Sequence, residues 1–271
     1  MPDQNTVDAP SLLLSEDFGA VTLITLNRPA ARNSLSERMI SQIHTHLQTI
    51  ATNQAIRAVV IAANGPAFCA GHDLKEMTAL RRAPDGGRAG FARIFDACCA
   101  MMQAIVHLPQ PVIAAVHGVA TAAGCQLVAS CDLAIAASSA RFATPGVDIG
   151  LFCTTPMVAL SRNLPRKQAL EMLLTGEPID AERAHAIGLV NRVVPPGTAR
   201  DAALTLAELI AQKSPQAIRF GKQAFHHQAG MNLADAYRSA AAVMTENMLA
   251  EDAVEGIAAF LDKRKPLWRE R

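Results

Sequence analysis

A set of short apolar runs that leave no face for water constrains this chain most. Val59-Val60-Ile61, flanked by alanine, and Val112–Val116 lack the alternation of a half-solvated strand. Such runs fit strands covered on both faces. Val21–Leu26 reads the same way, with β-branched residues and imperfect alternation. Leu133–Ala137, Arg141–Thr144 and Leu189–Val194 read as further strands. Helical segments lie between them. Leu35, Met39, Ile40, Ile43, Leu47 and Ile50 recur at helical spacing behind a cap at Ser34 or Ser36. Gly90–Leu108 is a long helix closed by Pro109 and Pro111, and Ala122–Ser130 is a helix of small residues. Thr155–Asn163 and Arg166–Leu174 are helices, and Pro178-Ile179-Asp180 opens a short one. Residues 1–17 read as a frayed or edge segment, and Phe68–Met77 as a loop around Gly71. Beyond Pro195-Pro196-Gly197 only helical stretches follow. The expectation is an α/β core over residues 1–196 and a helical C-terminal lobe over 197–271.

Composition narrows the function. Half of the 271 residues are hydrophobic and 18% are charged, enough for one large core and too apolar for disorder. A formal net charge of +1 argues against a nucleic-acid partner, and a single Trp and a single Tyr leave no stacking platform for one. The six cysteines show no CxxC or zinc spacing, so buried free thiols in a reducing compartment are expected, with no metal. Val112–Cys131 is apolar but interrupted by His117, Gln126 and Ser130, which fits buried core and no membrane partner. Residues 1–27 carry four acids and no Lys or Arg, unlike a secretory or mitochondrial leader, so a cytoplasmic protein is expected.

Familiar signatures fail: there is no GxGxxG, GxxxxGK[ST], HExxH or GxSxG. Two stretches stand out because each can expose backbone N–H groups. One is Phe68-Cys69-Ala70-Gly71-His72-Asp73-Leu74-Lys75-Glu76, where a strand runs into a glycine turn. The other is Val116–Gln126, where small residues lead straight into a helix start. Two free amides converging on one point would stabilise an oxyanion.

With these stretches the chain resembles the crotonase superfamily, the enoyl-CoA hydratase/isomerase family. The likeness spans nearly the whole chain, from Val21-Thr22-Leu23-Ile24-Thr25-Leu26-Asn27-Arg28-Pro29 to Gly256–Pro266, with Ser130–Ala136, Leu174–Ile179 and Gly188–Asn191 between. Ala122–Asp132 and Phe142–Val147 look like a mitochondrial subgroup of that family. The resemblance implies an α/β crotonase (ClpP-like) fold of repeated ββα units in two stacked sheets. It implies an acyl-CoA thioester as ligand, with coenzyme A entering only as part of the substrate and no other cofactor. It implies a homotrimer or dimer of trimers built through the helical lobe. Position by position it implies oxyanion amides at His72 and Ala123. Substrate contacts are implied at Ala70, Asp73, Leu74 and Lys75, and at Arg28 and Arg32 near pantetheine and phosphate. Phe260 and Lys263 are implied to reach a neighbouring subunit's CoA.

The sequence departs from the family where protons are handled. The two glutamate positions of the hydratases are occupied by Gln126 and Gly146, and the acid position of isomerases and some hydrolases by Thr154. Gln126 can hydrogen-bond a water but cannot take its proton at neutral pH. Asp148, two residues past Gly146, is a candidate substitute if strand alternation turns it to the same side. Asp132 and His117 read as structural, the His72 imidazole as a surface side chain with a pocket-facing ring as the alternative, and Cys125 and Cys153 as buried inert thiols. Ordinary hydratase activity is therefore expected to be weak. Two alternatives stand beside it: another acyl-CoA reaction, and a non-catalytic acyl-CoA sensor or partner subunit of a mixed oligomer.

Overall fold

A computed structural model describes residues 11–268. The expected edge segment becomes a hairpin of β1 (Leu13–Phe18) and β2 (Val21–Leu26), with residues 1–10 outside the described region. α1 (Glu37–Thr52) is capped by Ser36, whose Oγ accepts from Met39 N, while Ser34 Oγ accepts from the Arg28 guanidinium. β3 (Ala58–Ala63) leads through a tight turn to β4 (Ala67–Cys69), then to α2 (Leu74–Leu80) and α3 (Arg88–His107). The pattern of long strand, short strand and helix recurs in β5 (Val112–Val116), β6 (Val119–Thr121) and α4 (Ala123–Ser130). It recurs again in β7 (Leu133–Ala137) and β8 (Arg141–Ala143), which lead through a 3-10 turn at Pro145–Ile149 to α5 (Thr154–Asn163). α6 (Arg166–Thr175), β9 (Ile179–Asp180), α7 (Ala181–Ala186) and β10 (Arg192–Val194) follow. The chain ends in α8 (Ala199–Ala211), α9 (Pro215–Gln228), α10 (Leu233–Leu249) and α11 (Glu251–Leu261).

The long strands join one sheet in the order β1-β2-β3-β5-β7-β10, and the short ones a second in the order β4-β6-β8-β9. Pairing is parallel except for β1 on β2 and β9 on β8, because a helix or short strand separates the successive long strands. This is the two-sheet arrangement of ββα units that the resemblance implies. Sequence reading missed β4, β6 and β9, strands of two or three residues that are too short to show a period, and took the start of α2 as loop.

Both faces of the larger sheet are dry, as its uninterrupted apolar strands require. One face presents Ile24, Val59, Ile61, Ala114 and Val116 to α1, α3 and α4 in the main core. The other presents Leu23, Val60, Ile113 and Ile135 to Ala203, Leu206 and Ala207 of α8. Each such aliphatic side chain contributes roughly 1.5–3 kcal/mol by leaving water. α8 therefore seals the sheet even though it lies beyond the Pro-Pro-Gly break. α9 is fastened to the core by Lys222, whose Nζ lies 2.6 Å from Asp132 Oδ2 and donates to the carbonyls of Ile105 and Gln110. Asp132 also accepts from Val112 N at 2.7 Å, which agrees with a structural reading of that residue.

Candidate active site

The site forms where the β4–α2 loop meets the start of α4. Leu35 pins the loop: its N–H donates to Gly71 O at 2.7 Å, and its carbonyl accepts from Asp73 N at 3.2 Å. His72 lies between these two bonds, and among the described residues its own N–H has no acceptor. Ala123 is the first residue of α4, where intrahelical acceptors do not exist, and its N–H is likewise free among the described residues. Ala122 turns the chain into α4 at φ 49°, ψ −117°, a conformation that costs about 1–3 kcal/mol in a residue with a Cβ. Its N–H is anchored to Ala143 O at 2.9 Å.

The two segments meet backbone to backbone. A Cβ on Gly71, at φ 87°, would stand 3.4 Å from Ala123 N and 3.0 Å from Ala122 Cβ. A Cβ on Gly124 would stand 2.1 Å from Cys69 O, so only glycine lets α4 start there. Two unpaired N–H groups, one of them at a helix start, are thereby held on adjoining loops. A carbonyl oxygen that gains negative charge is the ligand such donors suit.

Asp73 fixes the far side of the loop. It caps α2 by accepting from Lys75 N and Glu76 N, and its Oδ2 takes the Arg28 guanidinium at 2.7 Å. Burial works to raise the Asp73 carboxyl, but the Arg28 hydrogen bond and the α2 amides outweigh it and hold it below its ordinary value. Arg28 also donates to Ser34 Oγ at 3.2 Å, so its charge is spent inside the loop and it acts there as a clamp. Arg32, Leu74 and Lys75 are exposed, and Ala70 is half-buried with its N–H given to Arg32 O.

The expected proton-handling positions are now specific. Gln126 sits one turn into α4, only 4% exposed, and its Oε1 has no partner among the described residues. It shares a helix face with Ala122 and Ala123 through its i−4 and i−3 spacing. Gly146 is filled from outside: a Cβ there would lie 2.9 Å from both Cys153 Sγ and Leu151 O. Thr154 opens α5 and is exposed. Asp148 is exposed as well, and its Oδ2 would lie 3.2 Å from a Cβ on Gly176. Strand alternation does not apply to Asp148, because Pro145–Ile149 is a 3-10 turn, and its carboxylate faces the turn after α6.

His72 corrects the reading of a surface imidazole. Its ring meets Phe95 of α3 edge-on at 5.4 Å, and both ring nitrogens are buried with no close hydrogen-bond partner among the described residues. Leaving a buried donor or acceptor unpaired costs about 1–3 kcal/mol. Burial pushes the imidazole below its ordinary value, opposed by the nearby Leu35 main chain. No local pattern signals this, because α3 and its Phe95 come from another part of the chain. The other histidine weighed, His117, is half-buried with Nε2 2.8 Å from Gly65 O, as a structural residue would be. Burial pushes the thiols of Cys69, Cys98 and Cys125 up to about 12, and raises that of Cys153. Phe260 and Lys263 lie at the end of α11, which packs on α9 and α10. Among the described residues no three His, Cys, Asp or Glu side chains converge as metal ligands.

Comparison with known proteins completes the assignment. The family model described as enoyl-CoA hydratase/isomerase matches residues 16–271. A relative from Danio rerio, enoyl-CoA hydratase domain-containing protein 3, mitochondrial, is 44% identical over 96% of this chain and 89% of its own length. A crystal structure of enoyl-CoA hydratase from Mycobacterium smegmatis superposes with a TM-score of 0.90 at 49% identity, covering 95% of this chain and 99% of that one. Human enoyl Coenzyme A hydratase domain-containing protein 3 superposes with a TM-score of 0.90 at 42% identity, over 95% of this chain and 100% of that one. The Danio rerio relative is named as mitochondrial, and so is its Homo sapiens counterpart, which overturns the cytoplasmic expectation. That expectation rested on leader composition, and a leader is a removable segment that the folded body does not encode. Fold, spacing and likeness over the full length agree: the chain belongs to the enoyl-CoA hydratase/isomerase family.

Proposed function

We propose that this protein binds an acyl-CoA thioester with its carbonyl oxygen between the N–H groups of His72 and Ala123. One observation carries the reading: two amides that have no acceptor among the described residues stand on loops whose backbones come together at Gly71 and Ala123. The family's customary glutamates are replaced by Gln126 and Gly146. The second position has no room for a carboxylate, because Cys153 Sγ and the Leu151 carbonyl crowd it. Loss of a general acid–base group removes about 10²–10⁴ in rate, so hydration of an enoyl thioester is strongly impaired. The CoA moiety lies along the exposed Leu74 and Lys75 and past Arg32, while Arg28 holds the loop.

The active form is a homotrimer or a pair of trimers. Support comes from α9–α11, which expose Phe225, Leu233, Tyr237, Leu249, Phe260 and Leu261, more apolar surface than a solitary lobe would leave to water. In that assembly Phe260 and Lys263 approach a neighbouring copy's CoA.

Calorimetric titration with crotonyl-CoA, beside a spectrophotometric hydration assay, tests this reading. The expected result is saturable binding with hydration at least about 10²-fold below that of a family hydratase. Absence of binding, or hydration at ordinary family rates, overturns it.

A further inference from the structure

One row of side chains leaves a space under α8. On the α8 face of the larger sheet, Leu23, Val60 and Ile113 stand in register and are covered by Ala203, Leu206 and Ala207. Two residues further along each strand, the next row on that face is Thr25, Ala62 and Ala115. These side chains are short, and a cavity of about 240 Å³ lies over them, bounded by Gly197 and the first turn of α8. It stands at the carboxyl ends of three parallel strands, where open α/β sheets bind ligands. α4 packs on the opposite face of the sheet, so this space is separate from the candidate thioester site.

The open polar groups of the cavity are donors, and no acid lines it. Thr25 is 7% exposed and lines the space, and its hydroxyl has no partner among the described residues. A buried polar group left open in a cavity points to a ligand that completes it. Ala199 is buried as well, and as the first residue of α8 its N–H has no acceptor among the described residues. Thr198 supplies no cap, because its Oγ1 donates to Pro195 O at 2.8 Å. The 13 residues of α8 gather partial positive charge at this end. Arg200 adds a full charge. Its guanidinium meets Glu16 at 3.4 Å, but both side chains are exposed and such pairs hold weakly. Asp201, in the same helical turn, is exposed and does not line the cavity. Asn64 and His117 also border it but are engaged, with Asn27 and with Gly65 O.

We propose that this cavity is a second binding site, for a short-chain carboxylate such as butyrate. The carboxylate accepts from the Ala199 N–H and the Thr25 hydroxyl and pairs with Arg200. The alkyl chain lies on the methyl groups of Ala62 and Ala115. An anion with oxygens on every side, such as inorganic phosphate, would turn some of them onto those methyl groups without a donor, which is costly. A carboxylic acid has one charged end and one apolar end, and the cavity has the same polarity. The site is independent of the thioester reading.

The test is an NMR titration of the full chain, labelled at its alanine methyl groups, with butyrate and separately with inorganic phosphate and butyramide. Butyrate is expected to shift the Ala62 and Ala115 signals saturably, and the other two to bind at least about 10-fold more weakly. Thr25→Val keeps the shape and loses the hydroxyl, and Arg200→Gln alters an exposed side chain. Each is expected to weaken butyrate binding by about 10-fold. Unchanged alanine signals elsewhere certify the fold, and Arg200→Gln carries the comparison alone if Thr25→Val does not fold. Absence of saturable shifts at Ala62 and Ala115 overturns the proposal. So does wild-type affinity in a folded variant, or phosphate or butyramide binding as tightly as butyrate. Shifts confined to Ala122 and Ala123 would place butyrate in the thioester site and overturn it too.

Discussion

Two glycines set the geometry of the site, and each does so by what a methyl group would strike. At Gly124 the obstacle is the Cys69 carbonyl, 2.1 Å from the place of a Cβ. Backbone of a packed strand cannot yield as a flexible side chain would, so Gly124→Ala is expected to lose about 3 kcal/mol in chemical denaturation and to abolish acyl-CoA binding. At Gly146 the obstacles are Cys153 Sγ and Leu151 O, each at 2.9 Å. Gly146→Glu therefore introduces a carboxylate at this position without giving it a place to act. It is expected to lose about 1–3 kcal/mol of stability and to gain no hydration of crotonyl-CoA, and wild-type stability with a gain in rate would refute this. The identities of Gln126, Gly146 and Thr154 are plain in the sequence. What fills the space at Gly146, and that the His72 ring nitrogens are buried, are not, because Phe95 and Cys153 come from other turns of the chain.

At the scale of an element, α2 is the least autonomous piece and the most consequential. Seven residues cannot hold a helix by propensity alone, so the Asp73 cap and its Arg28 partner decide whether it forms. Folded Asp73 binds its proton less tightly than the unfolded chain does. Its contribution is therefore complete above the unfolded carboxyl pKa of about 3.9, and is lost as pH falls through the lower folded value. Asp73→Asn keeps a capping oxygen but loses the ion pair. It is expected to cost about 1 kcal/mol near neutrality and to flatten the acid limb of the stability curve, as read by urea midpoints across pH. An unchanged acid limb would show that Asp73 is not its source. β2, β3, β5 and α1 were legible because their apolar patterns are local and long enough to repeat. β4 and β6 were not, since three residues carry no period and their strand character comes from pairing with each other.

For the whole molecule the question is how the helical end is fastened. Lys222 is almost wholly buried, with its ammonium 2.6 Å from Asp132 and on two carbonyls of the α/β core. Burial pulls its pKa below the ordinary value against the pull of Asp132. Removing the ammonium takes the nearest charge partner from a carboxylate that then keeps Val112 N and the His226 ring at 3.5 Å, so Lys222→Met is expected to cost about 3 kcal/mol and to release α9 first, visible as faster amide exchange in that helix. The outer faces of α10 and α11 make a separate prediction. Phe260→Ser, at a side chain 82% exposed in the single chain, is expected to leave the fold intact and shift the sedimentation profile toward monomer. An unchanged profile would place the assembly surface elsewhere.

The sequence by itself determined the longer elements and their class, because apolar period, capping residues and Pro-Gly breaks act within a few residues. It also determined which amides could be free, since a glycine turn and a helix start are local features. Tertiary structure alone decided the rest. It laid α8 across the second face of the sheet, turned Asp148 toward Gly176 and engaged Arg28 on Asp73. It also buried both ring nitrogens of His72. Each of those outcomes depends on which distant segments come into contact, and contact between segments far apart in the chain is a property of packing that no local pattern encodes.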